Sequence, residues 1–114
     1  MSGSSAIPSG GGGAAQVPMA VNQTGAGTVN VAALAAGKTV CIHEANLSLS
    51  APGTITIQDT DATPFASWDL AATGRAILSP VQARELGRCL AAGKGLDIVN
   101  SAGNMKGLVS YSQE

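Results

Sequence analysis

From Lys38 onward the apolar residues of this chain recur with a period of two. That regularity constrains the fold more than any other feature. Side chains alternate faces along a β-strand, whereas along a helix they return to one face every three or four residues. Thr54-Ile55-Thr56-Ile57-Gln58-Asp59 is the clearest instance, with Ile55 and Ile57 on one face and Thr54, Thr56 and Gln58 on the other. Between Lys38 and Ser50, Val40 and Ile42 share one parity and Leu47 and Leu49 the other, which predicts either a β-bulge near Glu44 to Asn46 or a strand buried on both faces in turn. Ala51-Pro52-Gly53 is turn chemistry, and residues 64–70 and 76–79 predict further short strands. Residues 96–100 and 105–112, parted by Ser101-Ala102-Gly103-Asn104, predict a closing hairpin. Ser79 as an N-cap and Pro80 at the first helical position predict one helical turn over 80–86, with Gly87 opposing a longer helix and a strand following over 87–91. Seven or eight short strands punctuated by Gly and Pro predict an all-β fold, a small antiparallel β-sandwich or jelly roll.

The first thirty-seven residues carry no charge at all, and the first ionic residue is Lys38. Residues 1–16 are Gly/Ser-rich and of low complexity, and Thr28-Val29-Asn30-Val31 is the first stretch that alternates. Too little apolar bulk is present there to offset the entropy of ordering the chain. The sequence therefore predicts an extended N-terminal arm over 1–37, joined to a sandwich domain over 38–114. Such an arm gains order on a partner, with Val17, Met19, Val21, Val29, Val31 and Leu34 as its apolar anchors. The body has few large rings, since Phe65, Trp68 and Tyr111 are its only aromatic residues. A core so thin favours burial against another subunit.

Charge and motif content exclude several function classes. The net charge is −1, and Lys38, Arg75, Arg84, Arg88, Lys94 and Lys106 are scattered, so no basic stripe marks a nucleic-acid partner. Val31 to Ala36 is far too short to span a bilayer, and no secretory pattern opens the chain; synthesis in a cytoplasm, with no membrane partner, is the expectation. Without a secretory context, Cys41 and Cys89 read as two buried reduced thiols rather than a disulfide. His43 is the only histidine, two positions from Cys41. A metal would need further ligands that no spacing supplies, so a half-buried strand pair is the favoured reading. Asp59 and Asp61 sit in a Thr/Asp turn where a carboxylate caps its own backbone; a calcium site including Asp69 is the competing reading. Gly25-Ala26-Gly27 and Gly93-Lys94-Gly95 lack the strand-loop-helix setting of a phosphate loop. No cofactor, no metal and no catalysis are expected.

With these elements in order, residues 38–114 resemble the small capsid decoration, or cement, proteins of tailed phages. The resemblance rests on KTVCIHEANLSLSAPGTITIQD, on ASWDLAATGRAILSP and on GKGLDIVNSAGNMKGLVSYSQE. It departs at Arg84 to Cys89, where such sequences tend to carry an aromatic residue. The resemblance implies a jelly-roll-like sandwich that assembles as a dimer or trimer on the capsid exterior, where it bridges major capsid protein subunits. A virion location follows from the same resemblance. The rival expectation is a receptor- or carbohydrate-binding module of a virion fibre, displaying Trp68 beside the turn acids.

Overall fold

A computed structural model describes residues 16–32, 37–71 and 74–114. The period-two segments form β1 (Val17–Gln23), β2 (Gly27–Ala32), β3 (Val40–Leu49), β4 (Gly53–Asp59), β5 (Pro64–Leu70), β6 (Arg75–Leu78), β7 (Leu96–Asn100) and β8 (Met105–Gln113). One helix, α1 (Pro80–Glu85), lies between β6 and β7. Two four-stranded sheets result, ordered β1-β8-β3-β6 and β2-β7-β4-β5. All pairs are antiparallel and they nest: β4 with β5, β3 with β6, β2 with β7 and β1 with β8. Rolling that nested ribbon adds the β3–β8 and β4–β7 pairs and closes the two sheets into a sandwich. The fold is the all-β sandwich expected from the alternation, with jelly-roll strand order.

Three expectations change. The boundary at residue 37 does not part an arm from a body, because β1 and β2 are edge strands of the first and second sheets. Val21 and Val31 are buried in the core, 3% and 5% exposed, and Met19 and Val29 pack against it from the rim. The physical reason is that four-residue alternation, too weak to fold alone, becomes stable when β7 and β8 present complete hydrogen-bonding edges. Residues 1–15 and 33–36 lie outside the described residues. The closing hairpin is also replaced: β7 and β8 belong to different sheets, so Ser101 to Asn104 turns a corner of the sandwich. Finally, the strand over 87–91 contracts to a single bridge, Cys41 opposite Cys89.

The core is aliphatic. Ile42 and Leu47 from the first sheet meet Ile55, Ile57, Leu96 and Ile98 from the second, all fully enclosed. Each such side chain contributes about 1.5–3 kcal/mol by leaving water. The bulge falls between Ile42 and Glu44, slightly earlier than the alternation indicates, and His43 is the extra residue. It restores the inward phase, so that Ile42 before it and Ala45 and Leu47 after it all reach the core. Gly107, at the centre of β8, has φ of +151°, and a Cβ there would fall on the Asn46 carbonyl oxygen of β3. Only a residue without a side chain lets these two strands approach.

Both ends are tied by side chains capping backbone. At one end buried Asn100 donates from Nδ2 to the Gly25, Ala102 and Gly103 carbonyl oxygens, at 3.0–3.3 Å. Gly25 N–H donates to Asn104 Oδ1, and Asn104 N–H to Ser50 Oγ, so three corners share one network. At the other end Asp59 Oδ1 accepts from the Asp61 and Thr63 amides at 2.8 and 3.0 Å.

Candidate functional site

The most distinctive surface lies where the edge strands β5 and β6 leave the sandwich open. Helix α1 sits across that opening because its ends are specified locally. Ser79 Oγ accepts from the Gln82 amide and Gln82 Oε1 accepts from the Ser79 amide, a complete capping box, with Pro80 at the first helical position. Gly87, which opposed a longer helix in the sequence, is its stop signal. It takes φ of +87°, and the amides of Gly87 and Arg88 reach back to the Arg84 and Ala83 carbonyl oxygens. Ala83 is the helix's core contact, so Val81 and Leu86 are left outside, 54% and 49% exposed.

Between α1 and the two edges lies a notch of about 390 Å³, lined by Phe65, Trp68, Ile77, Gln82, Glu85 and Leu86 among others. Trp68 and Phe65 are half-buried, each with one side on the core and the other toward the notch. Ile77 is 52% exposed because Ile77 and Leu78 are consecutive strand residues and only Leu78 can face inward. The notch offers apolar contact with an amide and a carboxylate at its helix side.

The outer face of the first sheet carries a second apolar feature. Strand register aligns Ala20, Leu108, Asn46 and Ile77 in one row across all four strands. Leu108, 45% exposed, stands on the outward parity of β8 between Lys106 and Ser110. The outer face of the second sheet is polar by contrast, with Thr28, Thr56 and Ser67 flanking Val99 in its corresponding row.

The anchors named from the sequence are not brought together as one surface. Val21 and Val31 are core, Met19 and Val29 line the rim, Val17 is exposed at the start of β1, and Leu34 lies outside the described residues. Sequence reasoning missed Ile77, Val81, Leu86 and Leu108. The available signal was apolar residues on outward parity in strands, and on the flank of a capped helix opposite Ala83.

The groups that suggested chemistry have structural roles. Cys41 and Cys89 form a disulfide, correcting the expectation of reduced thiols, with Cα atoms 3.9 Å apart. The Arg88 carbonyl accepts from Ile42 N–H and the Val40 carbonyl from Leu90 N–H, so the cysteines occupy a non-hydrogen-bonded pair, where side chains lie closest. Sequence separation hid this, because nothing in a spacing of 48 residues announces a bridge. His43 Nε2 lies 2.8 Å from Ser112 Oγ, which donates to Glu114 Oε2 at 2.8 Å. Ser112 is fully buried and its proton is directed at Glu114, so its oxygen accepts from His43. Nucleophilic catalysis needs the opposite direction, serine to histidine. Burial lowers the His43 pKa, assisted by Arg88 and opposed by Glu114 and Glu44. Lys94 pairs with Asp61 at 2.5 Å, and that hydrogen bond raises the lysine pKa. Asp59 spends its carboxylate on its own turn. Among the described residues no three His, Cys, Asp or Glu side chains converge as metal ligands.

Compared with protein-family models, with curated proteins and with solved structures, the chain matches none.

Proposed function

We propose that this protein is a structural component of a phage virion, a decoration protein that binds the capsid exterior and stabilises it by bridging major capsid protein subunits. The observation that carries the reading is the apolar notch at the open side of the sandwich, where Ile77 and Leu86 are each about half exposed beside Trp68 and Phe65, with Val81 exposed on the adjoining helix. Contiguous exposed apolar groups on a small domain are the mark of a protein contact. Binding only to the assembled shell stabilises that state by linkage, and repetition over many subunits multiplies the effect. The charge-free stretch preceding β1 supplies a second, sequence-level point of attachment, entering the body at exposed Val17. The sequence resemblance to decoration proteins agrees with this reading. A disulfide suits a protein whose place of work, a released particle, is outside a reducing cytoplasm.

Shells lacking the protein supply the test. Wild-type protein should co-sediment with them to saturation, and the doubly substituted Val81→Asp/Leu86→Asp protein should not, while keeping its far-ultraviolet circular dichroism. Saturation by the double variant would overturn the reading. A receptor- or carbohydrate-binding role has one observation in its favour, Trp68 lining the notch beside Gln82 and Glu85, since an aromatic face with polar neighbours suits a sugar ring. Saturable quenching of Trp68 fluorescence by a glycan, abolished by Glu85→Ala, would select that role instead.

A further inference from the structure

The outer face of the first sheet has an ordered charge pattern in addition to its apolar row. Strand register places Glu44 in the row on one side of Leu108 and Ile77, opposite Ser110. On the other side the register places Lys106, Ser48 and Arg75 side by side on β8, β3 and β6. Glu44, Lys106 and Arg75 are all exposed. Successive rows on one face of a strand stand about 7 Å apart, so acid and base flank the apolar row at equal distances.

We infer that this face binds a second copy of the chain, sheet against sheet, about a two-fold axis lying along the row of Ala20, Leu108, Asn46 and Ile77. Rotation about that axis returns the apolar row onto itself and exchanges its two sides. Glu44 of each copy then stands over Ser48 of the other, between that copy's Lys106 and Arg75. Both symmetry-related contacts are attractive, which is the self-complementarity a two-fold interface requires. A two-fold axis running along the strands instead would set Glu44 against the partner's own acidic row and the bases against bases. The pattern therefore selects one orientation as well as one occupant. Leu108 and Ile77, each about half exposed and flanking Asn46, are covered by the pairing, with the charged rows as its rim. The second sheet has no comparable apolar row and stays outward. Ile77 is shared with the notch, but Glu44, Leu108, Lys106 and Arg75 lie outside it, so the inference is tested separately from capsid binding.

Sedimentation equilibrium of the isolated full chain tests it without any shell. Wild-type protein at tens of micromolar should behave as twice the 11.2 kDa chain mass. Glu44→Lys alone, and Lys106→Glu/Arg75→Glu alone, should each weaken dimerisation at least about tenfold, because like charges then face one another. An equimolar mixture of the two variants should restore dimers, each supplying the charge the other now lacks. Leu108→Glu, at an exposed position that leaves the core untouched, should also yield monomers with an unchanged circular dichroism spectrum. A wild-type monomer at these concentrations, or variants that remain dimeric, or a mixture that stays monomeric, would overturn the proposal. Shell binding by a monomeric variant would leave the decoration reading standing while this one fails.

Discussion

Cys41 and Cys89 are bonded across the closest kind of antiparallel pair, tying the start of β3 to the segment that follows α1. The bridge closes a loop of 48 residues containing β4, β5, β6 and α1. Restricting a loop of that length in the unfolded chain is worth about 4 kcal/mol on the chain-entropy account. Reduction, or the Cys41→Ala/Cys89→Ala double substitution, should therefore lower the urea midpoint substantially. Paired melts with and without reductant measure the difference, and identical midpoints would show that the thiols are not joined.

Residues 17–32 belong to the body through β1 and β2. Removing residues 1–34 deletes two edge strands and the core residues Val21 and Val31, so the remainder should lose its cooperative transition. Val31→Ala alone should cost about 2 kcal/mol, from two buried carbon groups and the space they leave. A cooperative melt from this truncation, followed by circular dichroism, would contradict the placement of β1 and β2.

Gly107 is the most restrictive position in β8. Gly107→Ala forces a methyl group onto the Asn46 carbonyl oxygen and an unfavourable φ onto a side-chain residue. A loss of about 3 kcal/mol or more is expected, and thermal denaturation reads it directly.

His43 makes stability depend on pH. Its folded pKa lies below the ordinary 6.5, mainly through burial, so the unfolded chain binds the proton more readily. Its contribution is complete above pH 6.5 and is lost as pH falls through the lowered folded value. His43→Gln keeps a donor for Ser112 without the titration. Urea midpoints between pH 5 and 8 should fall more steeply on acidification for wild type than for this variant. Parallel curves would remove His43 from the pH response.

Much of the fold was legible residue by residue. Ile55 and Ile57 announced β4, the parity change after Ile42 announced the bulge, and Ser79-Pro80 announced α1. The candidate site was not legible as a surface. Val21 and Val31 looked like anchors for a partner because alternation reports that two faces differ, without reporting what covers the apolar one. Ile77 and Leu108 drew no notice in the sequence, and register alone places them on the outside, one on each side of Asn46.

The amino-acid sequence by itself determined the local conformations: extended strands from a two-residue period, corners at Pro52-Gly53 and Gly103, a capped helix closed at Gly87, and an ion-free stretch ahead of Lys38. Tertiary structure alone decided which strand lies beside which, and with that the roles of the N-terminal strands, the cysteine pair and the exposed row on the first sheet. Local preferences act over a few residues and can be read in order along the chain. The nested pairing joins Val17 to Tyr111 and Val40 to Gln113, and those partners are chosen by the burial of one shared core rather than by any neighbour in sequence.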